Sequence, residues 1–353
     1  MIKILHSADW HLDAPLLRWN ATQAKLLRQA MQSVPGRLAA ACREEECDLV
    51  LLSGDLFDGP YAADTLRLVY DALREMAVPV FVSPGNHDFV GQDSPWLREQ
   101  WPDNVHIFTH PAIESVDVPS LDCCVYGAGY TGMDCESLLQ DFSPTHTEHH
   151  SVCLLHGDPI QASSPYCPVT AQQVAASGLD YLALGHIHKA DNFRAGKTLC
   201  GWPGCPMGHG YDESGEKGYY IVSIAETATV RFVPLDLPRF YDFQVAAQQP
   251  LSGILPPVQS NDFYRITLTG PSDPVNLAAL REAFPHIPNL ELRDKTIPPT
   301  DIWGSAGSDT FEGMYFRLLQ DALADADPEQ QNRIRLAARI SRQLLDGQEV
   351  ELP

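Results

Sequence analysis

The chain is short of positive charge. Its 353 residues carry 24 Lys and Arg against 46 Asp and Glu, a formal net charge of −22. Nucleic-acid phosphates are held by Lys and Arg, so this balance argues against a free-standing nucleic-acid binder. It does not exclude a nuclease, because bound divalent cations add local positive charge. The nine cysteines are odd in number and scattered, with no Cys-x-x-Cys pair. That fits a reducing, cytoplasmic setting better than a disulfide framework. No apolar run approaches the roughly 20 residues needed to cross a bilayer. The opening stretch Met1–His11 lacks the cationic region, long apolar core and small-residue cleavage site of a signal peptide, and reads as a strand running directly into a motif. There is no internal repeat and no low-complexity tract.

What is present is a folded globular composition, 44% hydrophobic, long enough for two domains or one large α/β domain with an appendage. The stretch Val50–Asp58, VLLSGDLFD, organises the rest. Val50, Leu51 and Leu52 form the short apolar run of a doubly covered parallel strand. Ser53-Gly54 ends it, and Asp55 falls just past the carboxyl end, where open α/β sheets place their ligands. Similar short strands are expected at Ile2–Leu5, Pro79–Ser83, Ser151–Leu155 and Tyr181–Leu184, with others at Val105–Phe108, Ile113–Val118, Asp122–Tyr126, Thr198–Trp202, Tyr219–Ile224 and Val230–Val233. Between them, Ala21–Glu46 has helical composition with Pro35 splitting it, and Asp64–Met76 and Val169–Ala176 read as helices. This alternation predicts a layered α/β architecture. A composition shift with repeated prolines puts a domain boundary near residue 238. Beyond it, Phe263–Thr269, Val275–Ala283 and Leu290–Arg293 suggest a small α+β module, Thr296–Ser308 a linker, and Thr310–Ala324 and Glu329–Leu345 two closing helices.

The strand ends carry the chemistry. Asp9 and His11, Asp55, Asn86 with His87 beside it, His156, and His186 with His188 follow successive strands. One Asp-containing turn is weak, since acidic residues after strands are commonly solvated caps, and a lone histidine is more often structural than a ligand. Several oxygen and nitrogen donors at successive strand ends are what a two-metal hydrolytic site needs, with cations about 3.5–4 Å apart. Mixed His and carboxylate donors suit Mn, Fe, Co, Ni or Zn better than Mg or Ca.

Taken together, Asp9-x-His11, Gly54-Asp55-x-x-Asp58, Gly85-Asn86-His87-Asp88, His156-Gly157 and Gly185-His186-x-His188 resemble, in order, the motifs of the calcineurin-like metallophosphoesterases. The spellings ILHSADWHL, GDLFD, PGNHD and GHIHK, with Glu216-Lys217-Gly218 before a strand, look most like its DNA-repair exonuclease branch, which holds the SbcD-type and Mre-type nuclease subunits and YhaO-like bacterial proteins. The resemblance covers about residues 1–237. It implies a four-layer sandwich of two mixed β-sheets flanked by helices over 1–237, with 238–353 as a smaller capping or partner-binding module. It implies two divalent metal ions, manganese before iron, zinc, cobalt or nickel. Asp9, His11, Asp55 and His188 would hold the first, and Asp55, Asn86, His156 and His186 the second. His87 would be the general acid or stabilise the phosphoryl oxygens, and Asp88 would orient it. Asp58 departs from some Mre-type nucleases, which carry a second catalytic histidine there, so a second leaving-group residue stays open.

The function implied is phosphodiester hydrolysis, as a DNA exonuclease in DNA repair, with a coiled-coil ATPase of the SbcC or Rad type or a related AAA-like ATPase. Such a partner would supply the basic surface this chain lacks; a homodimer is a further expectation. The alternatives are a metallophosphoesterase acting on a small phosphodiester or phosphomonoester, and a scaffold that keeps metals for structure only. His146, His149 and His150 read as a solvated loop, His209 between two glycines as a flexible loop before a residue that reaches the substrate, and His6 as a packing residue. Trp10, Phe57, Phe89 and Trp202 read as core before base-stacking platforms. The last helix, with Arg333, Arg335, Arg339 and Arg342 around an apolar side, reads as domain packing before partner docking.

Overall fold

The computed structural model describes residues 1–59, 61–145, 150–250, 255–272, 275–297, 301–324 and 326–347. It divides into two compact units, Met1–Asp242 with Gln259–Tyr264, and Phe243–Val258 with Arg265–Pro353.

The first unit follows β1 (Ile2–Ser7), α1 (Ala21–Glu44), β2 (Leu49–Leu52), α2 (Ala63–Met76), β3 (Val80–Val82), α3 (Pro95–Arg98), β4 (Val105–Ile107), β5 (Glu114–Val118), β6 (Cys123–Gly127), β7 (His150–His156), α4 (Ala171–Ser177), β8 (Tyr181–Gly185), β9 (Lys189–Ala195), β10 (Thr198–Gly204), β11 (Gly218–Ile224) and β12 (Ala228–Pro234). Two six-stranded sheets result, in the orders β12-β11-β1-β2-β3-β4 and β5-β6-β7-β8-β10-β9. Both are mixed. β1 to β4 are mutually parallel, with β11 pairing antiparallel to β1 at one side and β12 antiparallel to β11. β6, β7, β8 and β10 are parallel, with β5 and β9 antiparallel at the edges.

The two-residue period of a strand sorts the side chains into separate cores. Leu49 and Leu51 of β2 face a core shared with Val152 and Leu154 of β7 and Tyr181 and Ala183 of β8. Val50 and Leu52 face the opposite way, among Leu27, Met31 and Leu38 of α1 and Val69 and Leu73 of α2. Cys153, Leu155, Leu182 and Leu184 turn outward onto Val174 of α4. The unit is therefore an α/β fold layered helix, sheet, sheet, helix. Each fully buried aliphatic chain contributes about 1.5–3 kcal/mol, which is why these strands read as continuous apolar runs.

Two expectations needed correction. Pro35 does not split its helix; α1 runs unbroken from Ala21 to Glu44 with Pro35 inside it. An interior proline costs roughly 3 kcal/mol. Pro35 itself lies in the apolar stripe with buried Leu27, Met31, Val34, Leu38 and Cys42, and that burial outweighs the lost hydrogen bond. The Asn20–Gln23 capping box further fixes the helix start. The strand β9 was also unforeseen. Its sequence KADNFRA is polar because it is an edge strand, specified by its pairing with β10 and not by burial.

The second unit holds most of the sheet β13-β14-β15, from β13 (Phe240–Ala246), β14 (Phe263–Pro271) and β15 (Asn289–Ile297), with α5 (Leu277–Glu282), α6 (Phe311–Ala324) and α7 (Pro328–Leu345). β15 extends two residues into the expected linker, and 298–300 of that linker lie outside the described residues. Val245, Ile266 and Leu268 form a small core with Leu280, Leu290 and Leu292. On α7 only Ala338 is buried, while Leu344 and Leu345 are exposed. Arg342 pairs with Glu312 of α6 and with Asp346.

Candidate metal centre

The carboxyl ends of β1, β2, β7 and β8 and the loop after β3 meet at one place. The loops after β1 and β2 are laced together by Asp9 N–H to Gly54 O (3.0 Å), His11 N–H to Asp55 O (2.9 Å) and Asp58 N–H to Leu12 O (2.9 Å). Glycine permits the approach of the next two. A Cβ on Gly185 would sit 1.9 Å from Ser53 O, and one on Gly85 would sit 2.2 Å from Asp55 Oδ1. Asp9, His11, Asp55 and His186 have positive φ of 55°, 45°, 52° and 88°. Left-handed backbone at non-glycine residues persists where the surroundings over-determine it, and it clusters at functional sites.

The side chains form two overlapping groups, Asp9 with His11 and His188, and Asp9 with Asp55 and His156, each with ligand atoms within 4.8 Å of one another. His11 Nε2 lies 3.1 Å from His188 Nε2. Two nitrogens bound to one cation at 2.0–2.1 Å in tetrahedral spacing lie about 3.3 Å apart, so this pair suits a shared ion. Asp55 Oδ2 is 3.3 Å from His156 Nε2 and 3.7 Å from His11 Nε2, between the two groups. His156 Nδ1 donates to Ser53 O at 2.9 Å, which turns Nε2 toward Asn86 Oδ1 at 3.0 Å and Asp55 Oδ2. With Nδ1 protonated, neutral His156 presents a lone pair to two oxygen acceptors, an arrangement that a proton or a cation must reconcile. Burial opposes charge on His156, yet Asp55 and Asp9 hold its pKa up at about 9. Asp9 Oδ1 accepts the His186 N–H at 2.9 Å, while its Oδ2 is buried with no hydrogen-bond partner among the described residues. A buried, unpaired carboxylate oxygen on a residue grouped with His11, His188 and His156 is part of a donor set that a divalent cation fits. His186 is half-buried, its ring centroid 5.3 Å from that of His156.

His87 stands at the mouth, its side chain 42% exposed, with Nδ1 2.6 Å from Asp58 Oδ1. Its backbone N–H donates to Asp55 Oδ1 at 2.9 Å. The hydrogen bond to Asp58 raises the His87 pKa. Here the expectation for Asp88 is corrected. Asp88 does not touch the His87 ring; its carboxylate accepts the backbone N–H groups of Gly85 (2.7 Å), Leu56 (2.8 Å) and Asp55 (3.2 Å). It ties the two loops together from beneath, and Asp58 is the carboxylate that holds His87.

One residue escaped the sequence reading, and a second was noted there only as part of Glu216-Lys217-Gly218. Glu213 Oε1 pairs with His188 Nδ1, and its Oε2 accepts the His209 N–H at 2.6 Å and lies 3.3 Å from His209 Nδ1. Burial opposes its charge, but the two histidines hold its carboxyl well below the usual range. Lys217, inside the Glu216-Lys217-Gly218 stretch, is buried and donates to His188 O at 2.8 Å. No spacing rule links Glu213 to His188; only its place in a Gly-rich acidic loop hinted at it. His209 is anchored, not loose, since its carbonyl also accepts from Trp19 Nε1 at 3.2 Å. His6 is fully buried between Tyr181 Oη and Ser53 Oγ, both at 2.8 Å. His150 begins β7 and lies 3.5 Å from Asp180, while His146 and His149 fall outside the described residues. Trp10, Phe57 and Trp202 are buried and Phe89 partly so.

The calcineurin-like phosphoesterase family matches residues 2–190, the stretch that carries all of the motif residues. Metallophosphoesterase YhaO of Bacillus subtilis is 32% identical over 237 residues, covering 63% of this chain and 57% of that protein. The SbcD component of the nuclease SbcCD from Bacillus subtilis is 26% identical over 260 residues, covering 61% of this chain and 64% of that protein. The chain thus spans under two thirds of the length of these two relatives. A dimetal phosphatase from Danio rerio is similar at 13% identity and a TM-score of 0.45, over 65% of this chain and 95% of that one. Among the described residues no helix is long and apolar enough to cross a membrane. With more than half of its residues inside the matched stretch, the chain belongs to the calcineurin-like phosphoesterase family.

Proposed function

We propose that this chain is a two-metal phosphodiester hydrolase that degrades DNA as an exonuclease in repair, with residues 1–237 as the hydrolase domain and 238–353 as a capping or partner-binding module. The observation that carries the reading is the pairing of a cation-shaped donor set with an exposed histidine at its mouth, His87, which is held by Asp58 and which we read as a non-ligand. A purely structural metal site has no use for such a residue. The DNA substrate is supported by the similarity to the SbcD component of a nuclease and by the branch-like spelling of the motifs.

In this reading Asp9, His11, Asp55 and His188 hold one cation and Asp55, Asn86, His156 and His186 the other. Divalent cations there, manganese by our assignment, supply a water of lowered pKa and neutralise phosphoryl charge. The protein's own residues do the rest. Asp58 keeps a proton on His87, and His87 delivers it to the leaving oxygen as the ester bond breaks. Asp88 fixes the backbone that carries Asp55 and Asn86, so the donors are positioned before substrate arrives. The acidity of the chain assigns the DNA surface to a partner, an ATPase of the SbcC or Rad type or an AAA-like ATPase.

The net charge of −22 favours one second reading, a small phosphodiester or phosphomonoester as substrate. Manganese-dependent digestion of linear duplex DNA, with His87→Ala as control, tests the proposal. Digestion by wild type alone supports the nuclease. Cleavage of a chromogenic phosphodiester with DNA left intact, even after the ATPase is added, overturns it in favour of the small substrate.

A further inference from the structure

Glu213 is shared by two histidines. One oxygen takes His188 Nδ1 and the other lies 3.3 Å from His209 Nδ1, so both imidazoles turn their Nε2 atoms away from it. His188 Nε2 meets His11 Nε2 in the metal centre. His209 Nε2 meets nothing: it is buried and has no hydrogen-bond partner among the described residues. The His209 ring nevertheless adjoins the centre. Its centroid is 5.9 Å from that of His11, edge-on at 85°, and His87 stands edge-on to the same ring at 4.8 Å and 87°. The backbone of His209 is fixed on both sides, by its N–H to Glu213 and its carbonyl to Trp19. A Cβ on Gly208 would lie 2.8 Å from Glu213 O, so the loop is also packed tightly against the residue that aims the ring.

A buried ring nitrogen held firmly and left unpaired is costly. It is retained where a partner arrives from outside. We propose that His209 Nε2 contacts the phosphoryl group of the substrate, with Glu213 as the positioning residue that aims His209 and His188 together. The inference rests on the phosphoester reading above and extends it to a residue outside the family motifs. Non-bridging phosphoryl oxygens only accept, so in this contact Nε2 is the donor toward them, with Nδ1 facing the Glu213 carboxylate.

The test uses the full chain loaded with manganese and inorganic phosphate as the probe. Phosphate dissociation constants come from calorimetry, metal content from elemental analysis, and melting temperatures from the metal-free chains. His209→Ala is expected to keep its metals and its metal-free melting temperature while binding phosphate about 10- to 100-fold more weakly, the loss of one charge-assisted hydrogen bond. His209→Gln, which keeps an N–H donor near the Nε2 position, should recover part of that loss. Glu213→Gln should weaken phosphate binding and also metal affinity, the latter about 10- to 100-fold. Equal phosphate affinity in wild type and His209→Ala at equal metal content overturns the proposal, as does a wild type that binds metal but no phosphate. If the chain cleaves no phosphoester and His209→Ala still binds phosphate more weakly, the contact stands and the hydrolase reading falls.

Discussion

Gly85→Ala should disable the metal centre from beneath. The added methyl would lie 2.2 Å from Asp55 Oδ1 and 2.9 Å from Asp55 N. Ordinary contact needs about 3.4 Å, so something must move by about 1 Å, and a displacement of that size near reacting groups costs about 10²-fold in rate. Neither side can yield freely. Asp55 Oδ1 is held by the His87 N–H at 2.9 Å, and Gly85 N–H is held by Asp88 Oδ1 at 2.7 Å. Overpacking of this kind costs about 1–3 kcal/mol, or a few degrees of melting temperature for a unit of this size. The control is Gly36→Ala, where no atom lies within 4 Å of the new Cβ and the residue is inside α1. There the substitution should stabilise by about 0.5–1 kcal/mol. Calorimetry, metal analysis and turnover of a chromogenic phosphodiester read the three effects. A Gly85→Ala protein that loads metal like wild type and turns over within threefold of it would refute the reasoning that Gly85 exists to admit the Asp55 carboxylate.

Three further outcomes are expected. His87→Ala should lower kcat by about 10²–10⁴-fold with metal content unchanged, and Asp58→Asn should lower kcat by a smaller factor; loss of metal in either variant would show that these groups build the centre instead of serving it. Removing metal with a chelator should lower the melting temperature of the first unit, and titrating manganese back should raise it with the logarithm of free metal; a flat response would mean that no cation binds. His6 gives a pH signature: burial lowers its pKa from 6.5 to about 3, so the unfolded chain binds the extra proton and stability falls as pH drops below 6.5. By linkage this amounts to ~2 kcal/mol between pH 7.5 and pH 5, and in a His6→Gln variant the slope of unfolding free energy over that interval should be shallower by that amount, as denaturant titration would measure.

The strands were legible because the first unit buries them on both faces. Val50–Leu52, Val152–Leu155 and Tyr181–Leu184 are apolar without a break, and each is followed within three residues by the polar residue it presents. What escaped was specified by neighbours in space. β9 is polar because it pairs at an edge and buries little. Pro35 reads as a breaker along the chain, yet its ring fills the same apolar stripe as Leu38. The exchange of roles between Asp58 and Asp88 could not be seen from adjacency: Asp88 is next to His87 in sequence, but its buried carboxylate is fully engaged by backbone N–H groups, and Asp58 crosses from a different loop. Glu213 is 25 residues beyond His188, across two strands that could not be placed relative to the centre before the sheet order was known.

The centre is built at a cost to the fold that carries it. Asp9 and Asp55 are buried within reach of imidazoles; burial prevails at Asp9 and pushes its carboxyl up, while at Asp55 burial is outweighed by His156 and His11, which hold its carboxyl below the usual range. Left-handed backbone at Asp9, His11, Asp55 and His186 adds strain, of the order of 1 kcal/mol or more per residue in general. Cations held by these donors would return that energy, since removing one partner from a buried ionic group costs more than assembling the whole. Substituting Asp9 by Asn should therefore have opposite effects in the two states. It should leave the metal-free chain as stable as wild type or more so, and it should weaken metal binding and the stabilisation that metal confers. If Asp9→Asn were instead destabilising by the same amount with and without manganese, the carboxylate would be a structural acceptor for the His186 N–H, and the strain in these loops would belong to the fold and not to the site.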